Sequence, residues 1–260
     1  MHGHADPVLQ VHRRRTVANS AAYLAPRLRP GLDVLDVGCG PGTITVDLAR
    51  RVAPGRVVGL DLSDAPLAEA RALAEREGVA VIFTVGDVYA LEAADRSFDV
   101  VHTHQVLQYL TDPVAALREM ARVCRPGGVL GIREGDYGGM VWHPPDEELD
   151  RWLQIFAGIV RRNGGEPEAG RRLVSWAHAA GLRDLAPSAS AWCFSTPAER
   201  EWWGRAWAER VTTTSFADQA VSYGLATRGQ LHNIAAAWLR WVDADGGWFG
   251  MLQGELLVSV

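Results

Sequence analysis

The sequence predicts an α/β fold, a mostly parallel sheet with helices on both faces, and two observations carry the prediction. Through the first 141 residues, short apolar runs rich in β-branched residues alternate with amphipathic stretches. The first of those runs also ends in a cluster of glycines that leads at once into a helical pattern.

Taken in chain order, residues 8–28 are expected as a helix or helix pair, ended by Pro30-Gly31 and placed to fold over the sheet edge. Segments 33–37, 56–61, 79–85, 98–103 and 128–133 are bounded by Gly, Pro or Asp, as buried parallel strands are. Between them, 43–52, 66–77 and 113–124 repeat apolar residues at three and four and keep charge on the other face, which predicts helices. Right-handed crossovers then cover both faces of the sheet and place ligands at the carboxyl ends of its strands. The remainder reads as helices at 146–162 and 168–180, a strand near 190–195, helical stretches across 197–243 and a last strand at 254–260. The expected organisation is a helical lead-in (1–30), a ligand-binding core (31–145), and a C-terminal part (146–260) carrying more helices, the last two strands and a lid. No internal repeat or low-complexity segment is visible.

Composition narrows the chemistry. The 260 residues are 48% hydrophobic and 22% charged, as in ordinary globular proteins. All 26 basic residues are arginine, which excludes Schiff-base lysine chemistry and the lysine of a phosphate loop. A net charge of −5 argues against nucleic acid as a partner. Arg13, Arg14 and Arg15 form the one compact basic run, a solvated helix face or an anion contact. The three cysteines show neither CxxC spacing nor metal-ligand intervals, so no metal and a reducing compartment are expected. Without a charged-then-apolar leader or an apolar run of ~18 residues, the expectation is a cytoplasmic protein that makes no membrane contact.

The most informative stretch is VLDVGCGPGTIT (34–45). Its glycines let the backbone approach a ligand and adopt dihedrals that side chains forbid. A phosphate loop fails for want of lysine. A nicotinamide fingerprint would need glycine where Thr43 stands. S-adenosylmethionine, with its amino-acid moiety and sulfonium, also gives a purpose to Asp36, two positions before the first glycine. Asp61 ends the next strand, where a carboxylate can accept from both ribose hydroxyls. Asp87 follows strand three, where an acid can take the adenine amine, with Leu62 and Val88 against the ring. Each aspartate alone is as well explained as a cap; three at successive strand ends are harder to explain that way.

With these residues in view, the chain resembles the class I S-adenosylmethionine-dependent methyltransferases, in particular the branch similar to ubiquinone/menaquinone-biosynthesis enzymes. The resemblance rests on VLDVGCGPG, VVGLDLS, VGDV, FDVVHTHQVLQYL and RVCRPGGVLGIRE, in family order over roughly half the chain. It implies a Rossmann-like seven-stranded sheet and S-adenosyl-L-methionine as cofactor. By the same resemblance, Asp36, Gly38, Cys39, Gly40, Asp61, Leu62, Asp87, Val88 and His104 are cofactor contacts, Cys39 through its amide rather than its thiol. HRRRTVANSAAYL (12–24) looks like the lead-in helix of some relatives; there Arg15, in line with Asn19 and Tyr23, is a candidate for the methionine carboxylate.

Methyl transfer from a sulfonium chiefly requires alignment, and a base helps when the nucleophile must lose a proton. Alternation puts His102 and His104 on one side of strand four, and His104, nearest its end, is expected to line the transfer site. Glu134 and His143 are secondary base candidates. Gln105, Tyr109, Tyr137, Trp202 and Trp203 are candidates for holding the acceptor. All ten tryptophans fall at or after Trp142, six of them in 197–250, more aromatic area than two surface helices should expose. Packing on the sheet, a lid over an apolar acceptor pocket, and a self-associating face that would make a homodimer are the three outlets for that area. The expected function is methyl transfer to a small hydrophobic or aromatic acceptor. The alternatives are a cofactor-binding cyclase or regulator of the same fold, or an NAD(P) oxidoreductase.

Overall fold

The computed structural model describes residues 12–260. One seven-stranded sheet runs in the order β3-β2-β1-β4-β5-β7-β6. Its strands are β1 (Val34–Val37), β2 (Val57–Asp61), β3 (Ile82–Val85), β4 (Phe98–His104), β5 (Cys124–His143), β6 (Asp184–Phe194) and β7 (Trp248–Ser259). The first five are parallel and β7 runs antiparallel to both of its neighbours. Chain order reverses between β1 and β4, so the crevice outside their carboxyl ends is the place for a ligand.

Alternation along the strands divides the core. Val34, Val100 and Val129 face a cluster with Leu24 of the lead-in and with Ile44 and Leu48 of α2 (Thr43–Val52). Leu35, Val101 and Leu130 face the opposite side, against Leu117 and Met120 of α4 (Pro113–Val123) and Leu173 of α6 (Ala169–Ala180). Helix α3 (Asp64–Arg76) joins β2 to β3, starting at Ser63, whose hydroxyl caps the Ala65 amide.

Three expectations need correction. The lead-in is not one helix: Thr16 caps a four-residue turn, α1 (Val17–Ser20), and a 3-10 turn follows at Ala25–Arg27; residues 8–11 of the expected helix lie outside the described residues. Arg15 therefore precedes the helix and shares no helical face with Asn19 and Tyr23. β5 is far longer than 128–133, because its glycine-rich second half keeps pairing with β7 as far as His143↔Trp248. Likewise β6 begins at Asp184 and β7 at Trp248, where the small and polar residues of both strands hid them from an apolar count.

That extension carries a third core. Helices α5 (Glu147–Arg162), α7 (Pro197–Thr213), α8 (Ser215–Ser222) and α9 (Arg228–Asp243) close around the far halves of β5 and β7. Trp152, Trp203, Trp207, Trp238, Trp241 and Phe249 are buried together inside this one chain. Their rings meet mainly edge to face, such as Trp152–Trp207 at 4.6 Å and Trp152–Trp238 at 4.8 Å, the geometry that aromatic quadrupoles favour. α7 is started by Pro197 and by a reciprocal pairing of Thr196 with Glu199.

Candidate active site

The glycine loop is built from conformations that only glycine adopts at low cost. Gly38, Gly40 and Gly42 have φ of 70°, 54° and 76°. A Cβ on Gly38 would stand 2.2 Å from Val106 Cγ2, whereas one on Gly40 would meet only His12 Nδ1, at 4.0 Å. The first glycine thus serves packing, and the second leaves room in the cleft.

That cleft encloses about 780 Å³ at the carboxyl ends of β1, β2 and β4. Asp36, Asp61 and Asp87 all border it, but with different freedom. Asp61 accepts the Gly40 amide on one oxygen at 2.9 Å and the Ser63 amide on the other at 3.2 Å, which fixes the carboxylate and leaves acceptor capacity. Asp87 is held by the Tyr89 amide at 2.9 Å. Asp36 is buried, with Oδ1 2.7 Å from His102 Nδ1 and Oδ2 accepting the Thr45 hydroxyl at 2.6 Å. Of the three carboxylates, Asp36 therefore braces the loop against β4 and α2 more than it offers itself to a ligand. The Cys39 amide is likewise spent on Leu60 O at 2.9 Å, and burial together with Asp36 and Asp61 pushes its thiol pKa up. Leu62 is 71% exposed, an apolar face in the cleft wall, and Val88 also borders the cleft.

Deeper in, a chamber of about 50 Å³ shares His12, Arg15, Gln105 and Tyr109 with the cleft and is otherwise walled by aromatic and methionine side chains and by Arg210. Gln105 follows β4 with φ 55°, a left-handed conformation that a non-glycine residue adopts under constraint. Its Oε1 accepts from Arg15 Nη2 at 2.6 Å and its Nε2 donates to Gln253 at 3.2 Å. Burial lowers the Arg15 pKa to about 9, which leaves it charged at neutral pH. The Tyr109 and Tyr137 hydroxyls meet at 2.9 Å, and Gln108 donates to Tyr137 at 3.1 Å. His104 borders the cleft, edge-on to Trp192 at 5.6 Å, with neither ring nitrogen partnered among the described residues. Burial, reinforced by Arg15 and Arg133, holds its pKa well below the usual histidine range, so the imidazole is neutral.

Two expected bases lie elsewhere. The register His104↔Arg133 puts Arg133 beside His104, so Glu134 points to the opposite face of the sheet. There its carboxylate accepts the amides of Val106, Leu107 and Gln108 at 3.0, 2.8 and 3.2 Å and caps the 3-10 turn Leu107–Tyr109. His143 is exposed at the far end of β5, roughly 30 Å along the strand from Glu134, and does not border the cleft or chamber. Trp203 lines the chamber, whereas Trp202 lies under Arg14, 4.5 Å from its ring, in a separate cavity. The sequence reading missed Arg210, whose guanidinium lies 4.3 Å above the Trp207 ring in the chamber wall. Trp203, Trp207 and Arg210 stand at i, i+4 and i+7 of α7, a helical face that was open to inspection.

Burial raises the Glu134 pKa to about 7 against the pull of its three amides. A folded-state value above the unfolded one means that the folded protein binds the extra proton, so stability should fall as pH rises from about 4.5 to about 7. In Glu134→Gln that slope should vanish, while one amide faces an amide nitrogen and stability drops by about 1–3 kcal/mol. Urea melts of both proteins across this pH range provide the measurement; parallel pH profiles would refute the assignment.

The family model described as "Methyltransferase domain" matches residues 34–128, the segment from β1 into the start of β5. An uncharacterised methyltransferase of Schizosaccharomyces pombe is 35% identical, over 96% of this chain and 92% of its own length. The chain belongs to the class I S-adenosylmethionine-dependent methyltransferases. A second relative of this methyltransferase, named a probable methyltransferase of Aspergillus luteorubrus, is 28% identical over 98% of this chain and 95% of its own length. Among solved structures, the YcgJ protein of Bacillus subtilis superposes with TM-score 0.60 at 18% identity, covering 93% of the methyltransferase and 97% of that chain. The [4+2]-cyclase SpnF superposes with TM-score 0.55 at 20% identity, covering 95% and 80%. These likenesses show the fold.

The cofactor of the methyltransferase is S-adenosyl-L-methionine, and the cleft's residues fit it. Gly40 keeps the cleft floor open, Asp61 and Asp87 hold acceptor oxygens at its wall, and Leu62 offers an apolar face for a planar base. Among the described residues no helix is long and apolar enough to cross a membrane, and no cluster of potential metal ligands forms.

Proposed function

We propose that this enzyme methylates a small aromatic or otherwise apolar acceptor, whose reacting atom enters the chamber beside His104. One observation carries the reading: the chamber joins the cofactor cleft through Arg15, Gln105 and Tyr109, and its remaining wall includes Tyr137, Phe156, Trp203 and Trp207. The cofactor supplies an activated methyl on a sulfonium. The protein's part is to align a nucleophile and keep water out, and the aromatic wall serves both ends. His104, neutral and with both ring nitrogens unpartnered among the described residues, is the group placed to accept a hydrogen bond from a hydroxyl or amine nucleophile and orient it, because the burial and arginines that keep it neutral make it a weak base. The indole N–H groups of Trp203 and Trp207 also lack acceptors among the described residues, so they can orient an oxygen on the ligand. Arg15 and Asp61 are the cofactor-positioning groups in this reading, and the acceptor is a small molecule.

The experiment is a screen of small phenols, aromatic acids and aliphatic controls with S-adenosylmethionine, reading S-adenosylhomocysteine and a one-methyl mass gain. Transfer to aliphatic controls alone would refute the aromatic reading. For any acceptor found, Trp207→Phe should raise KM about tenfold, since it removes one ring's contact and an N–H, while Kd for S-adenosylhomocysteine stays within about twofold. Equal losses of both affinities would assign Trp207 to the scaffold.

A further inference from the structure

A second cavity, of about 870 Å³, lies between the lead-in segment and the β6–β7 edge. It is distinct from the cofactor cleft, and Arg15 is the residue common to the cleft, the chamber and this cavity. Trp192 borders the chamber on one side and this cavity on the other. That ring is pinned: its Nε1 donates to Asn19 O at 2.9 Å, and the guanidinium groups of Arg15 and Arg133 lie 5.4 and 4.8 Å from its centre. The Arg15–Trp192 pair is thus a partition one side chain thick.

The cavity's polar atoms are unbalanced in one direction. Its two carboxylates are already engaged: Glu255 with Arg133, Ser188 and Ser190, and Glu199 with the Ser195 and Thr196 amides and the Thr196 hydroxyl at the start of α7. Its buried donors are not. The Tyr23 hydroxyl and Arg15 Nε, on two residues of the lining, have no hydrogen-bond partner among the described residues, while Arg133, behind the lining, reaches Ser190 through Nε and Nη2. Burial raises the Tyr23 pKa, so the phenol keeps its proton and can donate it. Leaving buried donors unpaired is costly, and a ligand presenting acceptor oxygens would recover that cost. Trp192, Phe194 and Trp202 supply flat apolar faces around the same donors. The chamber's 50 Å³ holds only a few atoms, so the bulk of any larger acceptor has to lie outside it.

We propose that this second cavity binds the body of the acceptor, a planar aromatic molecule bearing a carboxylate, whose reacting end turns past Arg15, which borders cavity, cleft and chamber alike, while the Trp192 ring stays in place. The inference rests on the acceptor reading above, and its test does not depend on turnover. Cys193 lines the cavity and is exposed, while Cys124 is buried and the Cys39 thiol pKa is raised. Iodoacetamide modification of Cys193, followed by peptide mass spectrometry, therefore reports occupancy of the cavity. The probe is 1-hydroxy-2-naphthoate, with 1-naphthol as the control lacking the carboxylate, each added to protein saturated with S-adenosylhomocysteine.

At millimolar concentration the naphthoate should slow modification of Cys193 about tenfold and saturably, and naphthol should do so much less. Tyr23→Phe, which removes one donor and little volume, should weaken the naphthoate's protection about fivefold and leave S-adenosylhomocysteine affinity unchanged. No protection by naphthoate, equal protection by naphthol, or protection by S-adenosylhomocysteine alone would overturn the proposal. Failure of the acceptor screen together with protection of Cys193 would refute the transfer reading and leave this site standing.

Discussion

Replacing Gly38 by alanine is expected to abolish cofactor binding and to lower the melting temperature together. The new methyl group would sit 2.2 Å from Val106 Cγ2 at a residue whose φ is 70°. The left-handed conformation costs about 1 kcal/mol for a residue with a Cβ, and relieving the collision costs about 1–3 kcal/mol more. For a chain of this size that lowers the melting temperature by roughly 5–10 °C. Gly40→Ala is the informative contrast. It carries the same backbone penalty, at φ 54°, but its methyl meets only His12 Nδ1 at 4.0 Å and projects into the cleft. Gly40→Ala should remain folded within about 1–2 kcal/mol of wild type while losing at least about tenfold in affinity for S-adenosylhomocysteine. Calorimetric melts and titrations of both variants separate the two roles. Wild-type affinity in Gly40→Ala would show that the ligand does not approach the loop there.

The second large effect concerns His104. Removing it as His104→Ala should lower kcat about tenfold on an acceptor whose hydroxyl or amine it orients, with Kd for S-adenosylhomocysteine changed less than threefold. Because burial keeps the imidazole pKa well below 6.5, wild-type kcat should show no histidine titration between about pH 6.5 and 8. The same downward shift makes the folded state bind fewer protons than the unfolded one, so His104 withdraws stability as pH falls below about 6.5. A kcat within threefold of wild type in His104→Ala would reduce the residue to a wall of the site. A titration centred near neutrality in wild type would contradict the neutral, buried imidazole.

Much of the cofactor end could be read from residues 34–133, because each step there is local. Strand runs are short and apolar, helices follow in period, and Gly38, Asp61 and Asp87 sit at fixed offsets from strand ends. What failed depended on register and partners far apart in sequence. Glu134 looked like a base by its position after strand five, yet its role was set by pairing of His104 with Arg133 and by three amides from 106–108. Asp36 does border the cleft, and what the local sequence could not show is that His102, 66 residues away, takes one of its oxygens. His143 was placed near the site because β5 was drawn too short; a run such as GGMVWH shows no apolar alternation until β7 is known to lie beside it. The aromatic core was foreseen as buried area without its arrangement, since Trp152 and Phe249 meet only after α5 and β7 have packed together.

β5 and β7 stay paired from Val129↔Ser259 to His143↔Trp248, interrupted only by a register shift between Gly135 and Met140. One end of this ribbon contributes Leu130 and Leu256 to the cofactor-side interior; the other contributes Met140 and Phe249 to the aromatic interior. A break in the ladder at either end exposes backbone groups shared with the other, so neither half has an independent reason to stay ordered. Heat should take both apart in a single cooperative event, and the enzyme is better pictured as one beam clad at two points than as a catalytic module with an attached cap.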